Sequence, residues 1–151
     1  MADINLVSIV ESIAARDMTG INNRGLDAIP ENAKTIAPVF YPLPNGFVTN
    51  MSFERVTAGA DNVAAMNLSY TLNYRYLHTP IGSAGGLLQT YENLINNLVI
   101  ILLAILADSN PTGAVDMQLQ SISNIGALSD PAGEMMFHGV DIALRVEEFV
   151  Q

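Results

Sequence analysis

No cysteine occurs in the 151 residues, which excludes a disulfide framework, thiolate zinc sites and a cysteine nucleophile. Cations are scarce too: six Lys and Arg, a single lysine among them, stand against fifteen Asp and Glu, and the formal net charge is -9. Phosphate binding needs clustered cations, so this balance argues against a nucleic-acid groove. The start, Met1-Ala2-Asp3-Ile4-Asn5, lacks the basic segment and apolar core of a signal peptide. The longest apolar run, Leu98 to Ala107, is closed off by Asn96-Asn97 and Asp108 and falls far short of the roughly 20 residues a spanning helix needs. It is expected to be half of a buried helix, with no membrane role. Hydrophobic residues make up 50% and charged residues 14%, which argues against a disordered or fibrous chain. The expectation is an acidic, soluble, intracellular single domain over residues 1–151, with a sizeable core.

The hydrophobic pattern predicts a helix over about Asp3 to Arg16, with Leu6, Ile9, Val10 and Ile13 on its buried face and Asp3 as N-cap. Residues Asp17 to Lys34 read as an ordered connection, with a short helical turn after Asp27. Thr35 to Leu43 contains Pro38 and Pro42 and reads as an edge strand. Leu43-Pro44-Asn45-Gly46 reads as a tight return, leading into a strand from Phe47 to Val56. Thr57 to Val63 reads as a hairpin tip. In the next strand Met66, Leu68, Tyr70, Leu72, Tyr74 and Tyr76 alternate with polar residues. A Gly-rich loop, Thr79 to Gly86, precedes a second helix, Leu87 to Asp108. That helix carries a main stripe of Leu87, Tyr91, Leu94, Leu98, Ile101 and Ile105, and its C-terminal half, apolar on both sides, is expected to be covered on both. A strand from Val115 loses its period near Ile122, Ser129 to Gly133 turns the chain, and a long final strand alternates to its end. The expected fold is α+β: an antiparallel or mixed sheet of about five strands, with two main helices on one face.

Candidate chemistry is sparse. The loop Gly82-Ser83-Ala84-Gly85-Gly86 sits where a phosphate cradle belongs, but Leu87-Leu88 stand where Lys-Ser/Thr would follow. It reads as a tight turn into the helix. Of the two histidines, His138 reads as a hydrogen-bonded core residue and His78 as the end of a strand, and alternation sends His138 and Asp141 to opposite faces. No catalytic residue, cofactor site or metal site is assigned. Arg75 and Arg145 lie on polar strand faces, and two readings stand: cross-strand ion pairs, or subunit-interface charges. Leu103 and Leu106, together with Phe137 and Phe149 on the outer strand face, exceed what two helices cover and point to self-association.

The order of elements, with Tyr41-Pro42-Leu43-Pro44-Asn45-Gly46-Phe47, Leu72-Asn73-Tyr74-Arg75-Tyr76-Leu77 and His138-Gly139-Val140-Asp141-Ile142-Ala143-Leu144-Arg145-Val146, resembles the small neck and tail-completion proteins of long-tailed bacteriophages. The tail-terminator type is the nearest match in texture. The resemblance spans nearly the whole chain and rests on no compact motif. It implies a non-enzymatic virion subunit, assembled in the host cytoplasm, that forms a homo-oligomeric ring, a hexamer. The ring would cap the tail tube protein and join it to head-side connector or stopper proteins. DNA would pass an acidic channel without specific binding. Arg75, Leu103, Leu106, Phe137, Arg145 and Phe149 are then expected at subunit interfaces. Thr57, Gly59, Asp61 and Asn62 are expected in a loop that is mobile until assembly. Alternatives are another neck subunit, of the head-completion or stopper kind, or a small-ligand-binding domain using the Gly82 to Gly86 loop.

Overall fold

The computed structural model describes residues 5–30, 33–58, 63–82, 86–107 and 115–150. In chain order these form helix α1 (Leu6–Ala14), strand β1 (Asn22–Asn23), a 3-10 turn (Leu26–Ala28), the single-turn helix α2 (Ala33–Ile36), and strands β2 (Val39–Pro42), β3 (Val48–Ala58) and β4 (Val63–Pro80). Helix α3 (Leu87–Leu106) and strands β5 (Val115–Ser129) and β6 (Met136–Val150) complete the chain. The fold is α+β, a mixed sheet of six strands with α1 and α3 packed on the same face.

Strand β4 is the spine. Its period-2 alternation buries Leu68, Tyr70, Leu72, Tyr74 and Tyr76 beneath the helices. On one side β6 pairs antiparallel with it from Met66 opposite Val150 to Pro80 opposite Phe137, and β5 lies outside β6. The other side of β4 is shared end to end. Residues Val39–Pro42 of β2 face Leu77 to Tyr74, and Val48–Ala58 of β3 face Leu72 to Val63. Both strands are antiparallel to β4, so they run in the same direction. The Leu43 to Gly46 segment therefore does not return the chain, as its composition suggests, but bulges out and rejoins the same edge. Asn73 holds it: its carbonyl accepts from Leu43 N at 2.9 Å, and its own N–H donates to the Phe47 carbonyl at 2.8 Å. Its side-chain amide adds bonds to the Gly46 carbonyl at 3.1 Å and to Thr49 Oγ1 at 2.9 Å. Gly46, at φ +82°, supplies a left-handed backbone conformation that a side chain would strain.

Other boundaries move for local reasons. The expected strand from Thr35 begins only at Val39, because Thr35 and Ile36 close α2 and a cis Ala37–Pro38 bond follows. It is the next-to-edge strand, since β1, inside the expected connection, pairs parallel with it. The short helical turn spans Leu26–Ala28 and does not begin after Asp27. Thr57 and Ala58 belong to β3, opposite Ala64 and Val63 of β4. Of the expected hairpin tip, Gly59, Ala60, Asp61 and Asn62 lie outside the described residues. The period of β5 is lost because two bulges, between Leu119 and Ser121 and between Ser123 and Gly126, each shift the side chains by a face while pairing with β6 continues.

Helix α1 is shorter than expected and buries Ile9, Val10 and Ile13. Asp3, the expected cap, lies outside the described residues. Asn5 occupies the cap position without a side-chain cap bond, and the cap comes instead from the far end of the chain: Asn5 N donates to Glu148 Oε1 at 2.8 Å. Arg16, past the other end, donates to the Ala104 carbonyl at 3.0 Å and to that of Ile105. It thus places a cation at the negative end of α3.

A second, smaller core lies on the opposite face of the sheet, where Ala33, Val39, Tyr41, Leu77 and Phe137 are buried with Ile29, Ile36, Leu128 and Met135 around them. Phe137 is fully buried there, which corrects its expected place at a subunit interface. Helix α2 covers it.

Candidate functional site

Helix α3 has two apolar faces. Leu94, Leu98, Ile101 and Ile105 are buried against the sheet and α1. Leu87, expected in that stripe, is exposed, and Tyr91 is half-buried. The outer face carries Leu88 (78% exposed), Ile95, Val99, Leu103 (65%) and Leu106 (53%). Steps of seven, four, four and three residues keep these on one side of the helix. The expectation that the C-terminal half is covered on both sides is thus not met within the described chain. Glu92 is the single charged residue of α3, and an open groove of about 530 Å³ runs along Leu88, Tyr91, Glu92, Ile95 and Asn96. By length and composition α3 is also sufficient to cross a membrane, a property that the ten-residue run taken alone does not reveal.

The opposite, polar side of the sheet is organised by Arg75 and Asp141, which sit directly opposite each other on β4 and β6. The pair is bidentate, with Nε to Oδ1 at 2.7 Å and Nη2 to Oδ2 at 3.1 Å. Arg75 also donates to the Ser129 carbonyl at 3.3 Å, and Asn124 donates to Asp141 Oδ2 at 2.9 Å. Of the two readings for Arg75, the cross-strand pair describes it, and little of its side chain reaches the surface. Arg145 is more exposed and pairs with Glu147, on its own strand, at 3.4 Å, a contact of small value in water. Phe149, further along the same face of β6, is half-exposed. A groove of about 220 Å³ on this face is lined mainly by hydroxyls and amides, including Thr49, Thr71, Asn73, Gln120 and Asn124.

Both histidines lie beneath α3. His138 faces the helix side and Asp141 the other, as alternation requires. His138 Nδ1 lies 3.3 Å from the Tyr91 hydroxyl. Asn97 Nδ2 donates to the Tyr76 hydroxyl at 2.8 Å, and that hydroxyl lies 2.6 Å from His78 Nδ1. Tyr76 thus links Asn97 of α3 to the His78 ring. Burial, and then the nearby His138, lower the pKa of His78. Among the described residues, no group of three or more His, Asp or Glu could hold a metal ion. In the Gly82 to Gly86 loop, Ser83, Ala84 and Gly85 lie outside the described residues, while Gly82 and Gly86 both have positive φ. The Gly86 carbonyl accepts from the Thr90 amide at 3.1 Å, opening α3.

Sequence reasoning missed two groups. Glu148 is a buried carboxylate that accepts from Asn5 N and, at 2.6 Å, from the Tyr70 hydroxyl. Its signal was present, since alternation puts position 148 on the same face as Val146 and Val150. Asp130 is also buried, and its Oδ1 accepts from the Glu134 amide at 2.9 Å inside the expected turn. No family model matches this chain, and no curated protein matches it by sequence.

Proposed function

We propose that this protein is a structural subunit that self-associates into a closed ring, of the tail-terminator type that its sequence resembles. In that role it caps a tail tube and joins it to the head-side connector, with DNA passing through. The observation that carries the reading is the outer stripe of α3. A run of Leu, Ile and Val along a 20-residue helix with one charge is surface that a soluble chain covers with another molecule. The acidic balance, -9 overall, suits a channel that lets phosphates slide past. Size-exclusion chromatography with light scattering tests the reading on the intact chain. A discrete multimer of cyclic stoichiometry is expected, and a monomer at every concentration would count against it.

A second reading rests on the apolar length of α3, in which the outer stripe meets a lipid surface. Flotation with vesicles separates the two. A ring subunit stays at the bottom of the gradient, and a lipid-facing chain rises.

A further inference from the structure

Among the described residues, the sheet has three unpaired edges: the two-residue β1 outside β2, and two long ones, β3 outside β4 and β5 outside β6. An unpaired edge offers a row of N–H and C=O groups to another strand, and proteins commonly blunt it with Lys or Pro. Neither long strand contains either residue, and Asp116 is the single charge in the fifteen residues of β5. The bulges leave a regular stretch on each long edge, Ser52 to Ala58 in β3 and Val115 to Leu119 in β5. Strand directions decide which edges can meet. β3 is antiparallel to β4, β4 to β6, and β6 to β5. A second copy in the same orientation therefore presents its β3 antiparallel to the first copy's β5, with the main helices of both copies on one side of the joined sheet.

We infer that successive copies join by adding the β3 edge of one, over Ser52 to Ala58, to the β5 edge of the next, over Val115 to Leu119. The inference rests on the ring reading above and names its contact. Such a joint is head-to-tail, and repeated around a closed ring it leaves neither long edge free on any copy. A twofold β5-to-β5 pair would instead leave β3 uncovered, with Phe53 72% exposed beside it.

The absence of cysteine makes cross-linking clean. Glu54 and Gln118 are exposed and point to the same, helix-free side, opposite Asn67 and Arg145 respectively. The intact chain carrying Glu54→Cys and Gln118→Cys, treated with a short bis-maleimide, should give a ladder of covalent multimers, and neither single variant should. Dimers from Gln118→Cys alone would mean a twofold pair and overturn the inference. A ring by light scattering without a ladder would overturn the edge contact and leave the ring reading standing. A chain that stays monomeric and gives no ladder would overturn both. Amide exchange on the unsubstituted chain removes any dependence on the variants' folding. Amides of 52–58 and 115–119 should slow on the order of tenfold or more between dilute monomer and assembly, and unchanged exchange there would also overturn the contact.

Discussion

Glu148 joins α1 to β4 by accepting from Asn5 N and from the Tyr70 hydroxyl, both as charge-assisted bonds. A glutamine there can accept from Asn5 N and donate to the Tyr70 hydroxyl, but the bonds lose the carboxylate's charge. Glu148→Gln should therefore cost about 1–3 kcal/mol by denaturant titration, and a loss below the error of that method would show the contact to be dispensable. Tyr74 presents the reverse case. Its ring stacks on Phe40 at 4.6 Å, while its buried hydroxyl has no hydrogen-bond partner. Tyr74→Phe should raise stability by about 1 kcal/mol in denaturant titration, and a loss of stability would show that the hydroxyl is satisfied after all. His78 contributes a pH dependence of defined sign. Its folded pKa lies below the usual histidine value of 6.5, so the unfolded chain binds a proton that the folded chain refuses. The stability that the neutral imidazole contributes is complete above 6.5 and declines as pH falls below it toward the folded value. Melting curves between neutral pH and about pH 5 should slope less in His78→Gln. An unchanged slope would place the titration elsewhere.

At the scale of elements, α3 is the discriminating one. Leu103 is largely exposed in the isolated chain, so Leu103→Glu buries no charge and should leave the melting temperature within about 1–2 °C of the parent. Assembly should nevertheless fail, because a carboxylate would then stand in an apolar contact. A variant that melts normally and still forms multimers would remove the stripe from the interface. Strand β6 carries a different constraint. A Cβ at Gly139 would collide with the Tyr76 carbonyl oxygen of β4, so the strands come together there only without a side chain. Gly139→Ala should destabilise the β4–β6 pairing on which both cores depend, visible as a loss of several degrees in melting temperature.

For the whole molecule, charge sets the behaviour toward DNA. Fifteen carboxylates against six Lys and Arg should prevent retention of duplex DNA at physiological salt, since affinity comes chiefly from cations that release condensed counterions. Ring symmetry could turn one arginine per subunit into a belt, and Arg24, Arg55 and Arg75 are the residues to consider. Arg75 is neutralised by Asp141, whereas Arg55 stands exposed on β3. An anisotropy titration of the assembled protein should show no sub-micromolar binding. Tight binding with a steep salt slope, lost in Arg55→Ala, would mean that the ring grips DNA.

What the sequence determined by itself is what depends on neighbours along the chain. The alternation of β4, the buried stripe of α3 from Leu94 to Ile105, the opposed faces of His138 and Asp141 and the α+β class all follow from period and propensity. The tertiary structure decided whatever depends on a distant partner. Leu43 to Gly46 has turn chemistry in either case, and only the long β4 edge, gripping both flanks through Asn73, makes it a bulge between two strands of one direction. Phe137 alternates onto an outer face, and only the placement of α2 beyond that face makes it core. Alternation puts Glu148 on the buried face with Val146 and Val150, but only the fold supplies its partner, bringing Asn5 to it across 143 positions of chain. The outer stripe of α3 was legible as apolar but not as exposed, because periodicity records which side of a helix is greasy, and only packing decides whether the same chain covers it.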